Sequence, residues 1–218
     1  MGKIKKRPDP RLFVAAWMAF EDEGLGRQHS DMWSQIPTEE QRQVLKLLGS
    51  RKFDTVLDLG CGPGWYAFVL KGWKRYVGVD QSEVWLNLAR QNTASLQGVE
   101  LVQSWVEEVD FSDHADLGLC IGVFQHYARP MKLLEKICSL DISHFCFNLM
   151  VTSKEKAEDF LWDEWGKISE GIPIEAAARF VKRAEALLPG KVVGQVDRPY
   201  GMPLPQLTWQ CYLLERTG

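Results

Sequence analysis

The chain has 218 residues, 45% of them hydrophobic and 25% charged, with a formal charge of −3. This is the composition of one globular domain that can bury a core without staples, and it excludes a disordered chain. The near-neutral balance gives no general attraction to nucleic acid or to an anionic membrane.

Residues 1–10 form a basic arm carrying Lys3, Lys5, Lys6 and Arg7. The run that follows superficially resembles a secretory signal, but Pro8 and Pro10 interrupt its approach. Glu21, Asp22 and Glu23 stand where small cleavage-site residues belong. Leu12, Phe13, Ala16, Trp17 and Phe20 instead share one helix face, so an amphipathic helix is predicted over 11–23. A second is predicted over 38–49, with Thr38 and Gln41 as a capping box and Gly49 at its end. No run reaches the about 20 apolar residues of a membrane span. A cytoplasmic protein is expected.

From residue 55 the pattern changes to short apolar runs alternating with helical segments. Strands are predicted at 55–59, 76–80, 99–102, 116–121 and 144–150. Helices are predicted from the glycine cluster to about residue 71, from Ser82 to about 92, from Pro130 to 139, and over 174–188. Two last strands, 191–196 and 207–214, have no helix between them, so they pair as an antiparallel hairpin at a sheet edge. Strand–helix alternation implies an α/β protein with a mostly parallel sheet covered on both faces. The chain is read as one domain, 1–218, with a helical N-terminal lid (1–50), a cofactor-binding core (51–150), and acceptor-side helices with the final hairpin (151–218). Cys61, Cys120, Cys138, Cys146 and Cys211 form no CxxC pair. No metal site is expected, and they read as small core residues in a reducing compartment.

The first strand ends in Asp58-Leu59-Gly60-Cys61-Gly62-Pro63-Gly64, and the second ends in Asp80. In parallel α/β sheets ligands bind beyond the carboxyl ends of strands, where glycines let backbone approach closely and a terminal acid takes ribose hydroxyls. A dinucleotide site wants a third glycine where Trp65 stands. Pro63 lacks an N–H that a pyrophosphate would use, and Asp58 would repel one. No GK[ST] follows, so a P-loop is excluded. The residues favour an adenosine ligand that carries positive charge and no phosphate.

VLDLGCGPG followed by GVDQS resembles the first two motifs of the class I S-adenosylmethionine-dependent methyltransferases, and DLGLCIGVFQHY resembles that family's fourth. The resemblance covers roughly residues 53–150. It implies a Rossmann-like, seven-stranded sheet whose final hairpin inserts an antiparallel strand. It also implies S-adenosylmethionine as cofactor, with S-adenosylhomocysteine as product. By resemblance, Asp58 and the backbone of Gly60, Cys61, Gly62 and Gly64 line the methionine part. Asp80 binds the ribose, with Gln81 beside the adenine. Trp105 and Val106 flank the adenine ring, and Ile121 and Gly122 close the site near the sulfonium. The family often carries an acid just after the third strand; Ser104 and Trp105 stand there instead. Trp105 either stacks on the base or belongs to the core.

Methyl transfer needs alignment and exclusion of water, and a base only when the acceptor is protonated. His126 either serves as base or orienting group, or caps the fourth strand and packs on the cofactor; Tyr127 beside it reads as structural or as part of the acceptor site. Arg27, His29 and Trp33 lie between the two N-terminal helices, where Arg27 or His29 can hold a carboxylate or belong to a solvated loop. Trp162, with Trp165 and Ile168, can wall an apolar acceptor pocket or pack as an ordinary helix face. No Asn-Pro-Pro-Tyr or Asp-Pro-Pro-Tyr follows the fourth strand, and a small-molecule acceptor is expected by elimination. The competing readings are a catalytically silent cofactor-binding regulator or partner subunit, a nicotinamide oxidoreductase, and a methyltransferase of macromolecules. Oligomeric state is not legible in the sequence.

Overall fold

A computed structural model describes residues 37, 39–124, 127, 130–152, 172–199 and 207–217. The helix expected over 11–23, the Thr38 cap, the Trp162 segment and the loop 200–206 lie outside the described residues.

In chain order the elements are α1 (Glu39–Leu48), β1 (Thr55–Leu59), α2 (Trp65–Val69), β2 (Arg75–Asp80), α3 (Glu83–Thr93), β3 (Val99–Gln103), a 3-10 turn (Val106–Glu108), β4 (Ala115–Cys120), α4 (Pro130–Cys138), β5 (Ile142–Thr152), β6 (Ile172–Pro173), α5 (Ile174–Leu187), β7 (Gly190–Pro199) and β8 (Leu207–Arg216). The sheet runs β3-β2-β1-β4-β5-β8-β7, and the two-residue β6 adds to β5 in parallel, off that path. β1 to β5 pair in parallel, and β8 alone runs against them, inserted between β5 and β7. The expected seven-stranded, mostly parallel Rossmann-like sheet with an antiparallel final hairpin is thus present, and β6 is an addition that two residues of sequence do not announce.

The order of the strands follows from their chemistry. β1, β2 and β4 are buried on both faces and read as near-continuous apolar runs, as central parallel strands must. Alternate residues of each strand feed two separate cores. One holds Leu57, Leu59, Val77, Val79, Phe145, Phe147 and Leu149 under α4 and α5. The other holds Val56, Tyr76, Leu117, Leu119, Cys146 and Met150 under α1 and α2. The described part of the expected lid, α1, belongs to this second layer: Val44 and Leu48 are buried there with Trp209 and Leu213 of β8.

An aromatic cluster fills the first core. Phe147 packs edge-on to Phe124 at 5.9 Å and stacks on Phe145 at 5.0 Å and Tyr212 at 5.4 Å, while Phe180 of α5 meets Phe124 at 5.0 Å. This cluster joins β5, β8, α5 and the turn after β4. All five cysteines are buried free thiols. At the amino ends of β4 and β5, His114 bridges Asp141 and Ser143 on the surface, far from the strand ends that carry the glycine loop. Among the described residues no helix is long and apolar enough to cross a membrane.

Truncating Phe147 to Ala empties the centre of the aromatic cluster. Equilibrium urea unfolding is expected to show a loss of about 3–5 kcal/mol, and an unchanged midpoint would contradict the cluster's role in joining the final hairpin to the sheet.

Candidate functional site

Strand order reverses between β1 and β4, so the loops after these strands diverge and leave a crevice at their carboxyl ends. The glycine loop after β1 sits at this switch point. Its backbone is pinned from below: the N–H groups of Gly60 and Cys61 both donate to the Val79 carbonyl, at 2.7 and 3.0 Å. Gly60 has φ +80, and a Cβ there would overlap the Val123 side chain from the turn after β4. The residue must therefore be glycine for two reasons, its left-handed backbone and the close approach of the β4 loop.

Gly64 adopts φ 77 as the N-cap of α2, and a Cβ would press on Ala89 and Thr93 of α3 at 3.3 and 3.2 Å. The close packing that a dinucleotide loop obtains from a glycine at the position of Trp65 is obtained here one residue earlier. Asn92 Nδ2 donates to the Pro63 carbonyl at 2.9 Å and ties the same loop to α3. At Gly62 a Cβ would meet nothing within 4 Å among the described residues, which leaves that backbone approachable from their side.

Asp80 closes β2 and is 7% exposed. Its Oδ2 accepts from the Gly62 N–H and its Oδ1 from the Ser82 N–H, each at 2.9 Å. The carboxylate therefore joins the glycine loop to the start of α3, where the Ser82 hydroxyl caps the helix by accepting from the Trp85 N–H. Burial raises its pKa, and the backbone donors oppose that rise. Two bonds leave lone pairs on both oxygens, enough to accept the two hydroxyls of a ribose.

Asp58 lies one strand over, on the same face by alternation. It is 2% exposed and accepts a hydrogen bond from the Tyr76 hydroxyl at Oδ2. Burial pushes its pKa up from 3.8 to about 7; the Tyr76 donor works against this and the Asp80 charge adds to it. Cys61 is buried, and its thiol is pushed up by burial and by both carboxylates, so it is not a nucleophile. This pair of buried acids makes the loop mouth attractive to a cation and hostile to a phosphate.

Beyond β3, the Ser104 N–H donates to the Asp80 carbonyl at 3.1 Å, which brings the next turn to the same edge. Trp105 is half-buried and opens the 3-10 turn, whereas Val106 is 2% exposed and belongs to the first core. Gln81 is half-buried, and its carbonyl accepts from Gln103 Nε2 at 3.3 Å. Across the crevice, Ile121 and Gly122 are half-buried at the end of β4. Tyr127 is buried in the first core, and burial with the nearby Glu107 carboxylate raises its pKa, so its phenol stays protonated. The fold thus collects Asp58, Gly60, Cys61, Gly62, Gly64, Asp80, Gln81, Trp105, Ile121 and Gly122 at one end of the sheet. His126, Arg27, His29, Trp33 and Trp162 lie outside the described residues. Among the described residues no group of three or more His, Cys, Asp and Glu could hold a metal ion.

Three participants escaped the reading of the sequence. Tyr76, at the other end of β2, becomes the partner of Asp58 only when β1 and β2 align. Val123 is the contact that requires Gly60. Asn148 of β5 is fully buried and accepts the Gly122 N–H at Oδ1, 2.6 Å away. A lone amide inside the apolar run Phe145-Cys146-Phe147-Asn148-Leu149-Met150 was the one visible signal for it.

Residues 57–140 match the methyltransferase-domain family. Over the whole fold the chain is similar to a 1,6-didemethyltoxoflavin-N1-methyltransferase of Burkholderia thailandensis, solved with 1,6-didemethyltoxoflavin and S-adenosylhomocysteine bound. The two share 18% identity at a TM-score of 0.71, over 97% of this chain and 92% of that one. The N-methyltransferase NodS of Bradyrhizobium japonicum, solved with S-adenosylhomocysteine, is similar at 14% identity and a TM-score of 0.62, over 85% of this chain and 92% of that one. An uncharacterised 37.1 kDa protein of transposon Tn4556 from Streptomyces fradiae is 31% identical over 96 residues, which are 42% of this chain and 28% of that protein. The chain therefore spans about a quarter of that curated relative's length. The matched segment is a methyltransferase domain, and the fold is similar to that of the S-adenosylmethionine-dependent methyltransferases. The similar structures hold S-adenosylhomocysteine, and the chemistry of this crevice suits the corresponding cofactor, S-adenosylmethionine: it presents the Gly62 backbone, remaining lone pairs on Asp80 and a second buried carboxyl at Asp58.

Two outcomes are expected. Gly60→Ala must strain φ and displace Val123, a loss of about 1–3 kcal/mol in denaturant unfolding. For Asp58, the folded pKa lies above the unfolded one, so its favourable contribution is complete below the 3.8 of the free group and is lost as pH rises to about 7. The stability of Asp58→Asn relative to the wild type should accordingly rise across that window and stay level above it; a flat difference would contradict the raised pKa.

Proposed function

We propose that the protein binds S-adenosylmethionine across the carboxyl ends of β1, β2 and β4 and transfers its methyl group to a small-molecule acceptor by in-line displacement. The observation that carries this reading is the bond from the Gly62 N–H to Asp80, which makes the glycine loop and the ribose-binding acid one preformed unit.

S-adenosylmethionine supplies a methyl carbon on a positively charged sulfur that is already a good leaving group. The chain's residues have to bind, align and keep water out. Asp80 accepts the ribose hydroxyls while its backbone donors hold it still. The glycine loop passes beneath the methionine part. Trp105 lies on the adenine side beside Gln81, and Ile121 and Gly122 wall the crevice at the sulfonium end. Asp58 acts from behind the loop: its charge favours the cationic ligand, and Tyr76 keeps its carboxyl oriented. His126 is the candidate base or orienting group for the acceptor. Arg27, His29, Trp33, Tyr127 and Trp162 are the candidate acceptor-side residues.

A small acceptor is supported by two things. The net charge of −3 gives no general attraction to nucleic acid. The similar Burkholderia enzyme holds the small heterocycle 1,6-didemethyltoxoflavin.

Calorimetry with S-adenosylhomocysteine tests the cofactor. Wild-type binding is expected, weakened about ten- to a hundredfold in Asp80→Ala, the cost of removing hydrogen bonds to a charged group, with no binding of NAD. No binding by the folded wild type would sink the reading. Labelled methyl groups supplied with a cell extract should enter the small-molecule fraction; label confined to protein or nucleic acid would overturn the acceptor class.

A further inference from the structure

The end of the sheet opposite the glycine loop carries a cavity that methyl transfer does not use. It lies where α1 and α2 end and β1 begins, and its volume is about 310 Å³, within the range of roughly 300–1,000 Å³ for small-molecule sites. Leu45, Phe53, Val69 and Trp73 give it apolar walls. Phe53 is buried in the second core, whereas Leu45, Val69 and Trp73 pack on that core and stay half-buried, with apolar surface uncovered. The Trp73 wall is preformed, since its Nε1–H donates to the Ala67 carbonyl at 3.1 Å and its ring packs on Tyr76 at 5.7 Å. Val56 lines the cavity and precedes Gly60 along β1 by roughly 13 Å, so a ligand here is separate from one at the glycine loop.

The rim is cationic. Arg51, Lys52 and Lys71 stand on it, all exposed, and no acid lines the cavity. Among the described residues none of the three forms an ion pair. Asp54, close by in the chain, is taken by Lys74 at 2.6 Å. The two helix ends bring partial negative charge that would by itself repel an anion. Arg51 Nη1 answers it by donating to the Leu48 carbonyl at 3.2 Å, and Lys71 Nζ by donating to the Phe68 carbonyl at 2.7 Å. Each contact uses one N–H, where a guanidinium offers five and an ammonium three. Whole positive charges therefore meet partial negative ones, and Lys52 adds a third. The surplus stands beside apolar walls.

We propose that this cavity is a second ligand site, and that it takes a small amphipathic carboxylate. The apolar tail lies against Phe53 and Trp73, and the carboxylate meets Arg51 and Lys71 at the rim. A guanidinium suits this head group because it can present two parallel N–H bonds to the two oxygens. An amine with the same tail meets like charge, and an alcohol gains from its tail alone. The site goes beyond the methyl-transfer reading and does not rest on it.

Octanoate is the probe, added to the full chain and followed by the assigned Trp73 indole N–H resonance. A saturable shift is expected with octanoate, and none with acetate or octylammonium at equal concentration. Octanol should bind about fivefold or more weakly than octanoate. Arg51→Gln combined with Lys71→Gln changes two exposed side chains, and should weaken octanoate about five- to tenfold. Octanol binding should be the same in this variant as in the wild type, which separates lost charge from a damaged cavity. The proposal is overturned by the absence of a saturable octanoate shift in the wild type, or by octanol or octylammonium binding as tightly as octanoate. It is also overturned if the variant keeps wild-type affinity for octanoate. Binding of S-adenosylhomocysteine is read separately, and its failure removes the cofactor reading while leaving this one in place.

Discussion

The site depends on one carboxylate at the end of β2. Asp80 is nearly buried, yet both its oxygens accept backbone N–H groups, one from the glycine loop and one from the start of α3. Backbone donors cannot swing away as side chains do, so the acid is held in one orientation. The same bonds tie two loops that the sheet topology merely brings near. The Val79 carbonyl, one residue earlier, completes the arrangement by receiving Gly60 and Cys61. Two consecutive residues of β2 thus set the conformation of the loop after β1.

Around that anchor the electrostatics run in one direction. Desolvation resists ionisation of both Asp58 and Asp80, and at Asp58 the charge of Asp80 adds to it. Neutralising one of them by protonation is one solution. Accepting a cationic ligand is the other, and it couples binding to release of a proton wherever Asp58 is still protonated. Tyr76 moderates the penalty without removing it, because its hydroxyl donates to the carboxylate from inside the second core.

The far side of the crevice is built on a different principle. Gly122 and Val123 follow β4, and their place is set by contacts from neighbours: Val123 against Gly60, and Gly122 against the amide of Asn148. The aromatic cluster behind them, through Phe124, joins this turn to α5 and to β8. The turn after β4 is therefore coupled by packing to the final hairpin.

The sequence by itself was enough for the class of fold and for the glycine loop at the end of β1. Both are local in the chain: apolar runs of strand length, glycines at a strand end, a terminal acid after the next run, and a helix cap at Ser82. Those features are dictated by backbone sterics and by burial on two faces, so they leave a pattern within a few residues of one another. The tertiary structure decided what depends on register between strands. Asp58 finds Tyr76 because Thr55 pairs with Arg75, which brings the Tyr76 hydroxyl to its carboxyl. Gly64 rather than the next position supplies the close helix contact, since α3 crosses there. Asn148 reaches Gly122 across a β4–β5 pairing that joins residues 26 apart, and β6 exists because β5 runs long enough to offer it an edge. Such contacts are set by which residues come opposite one another when the sheet closes, and distances of that kind are written in no single stretch of the chain.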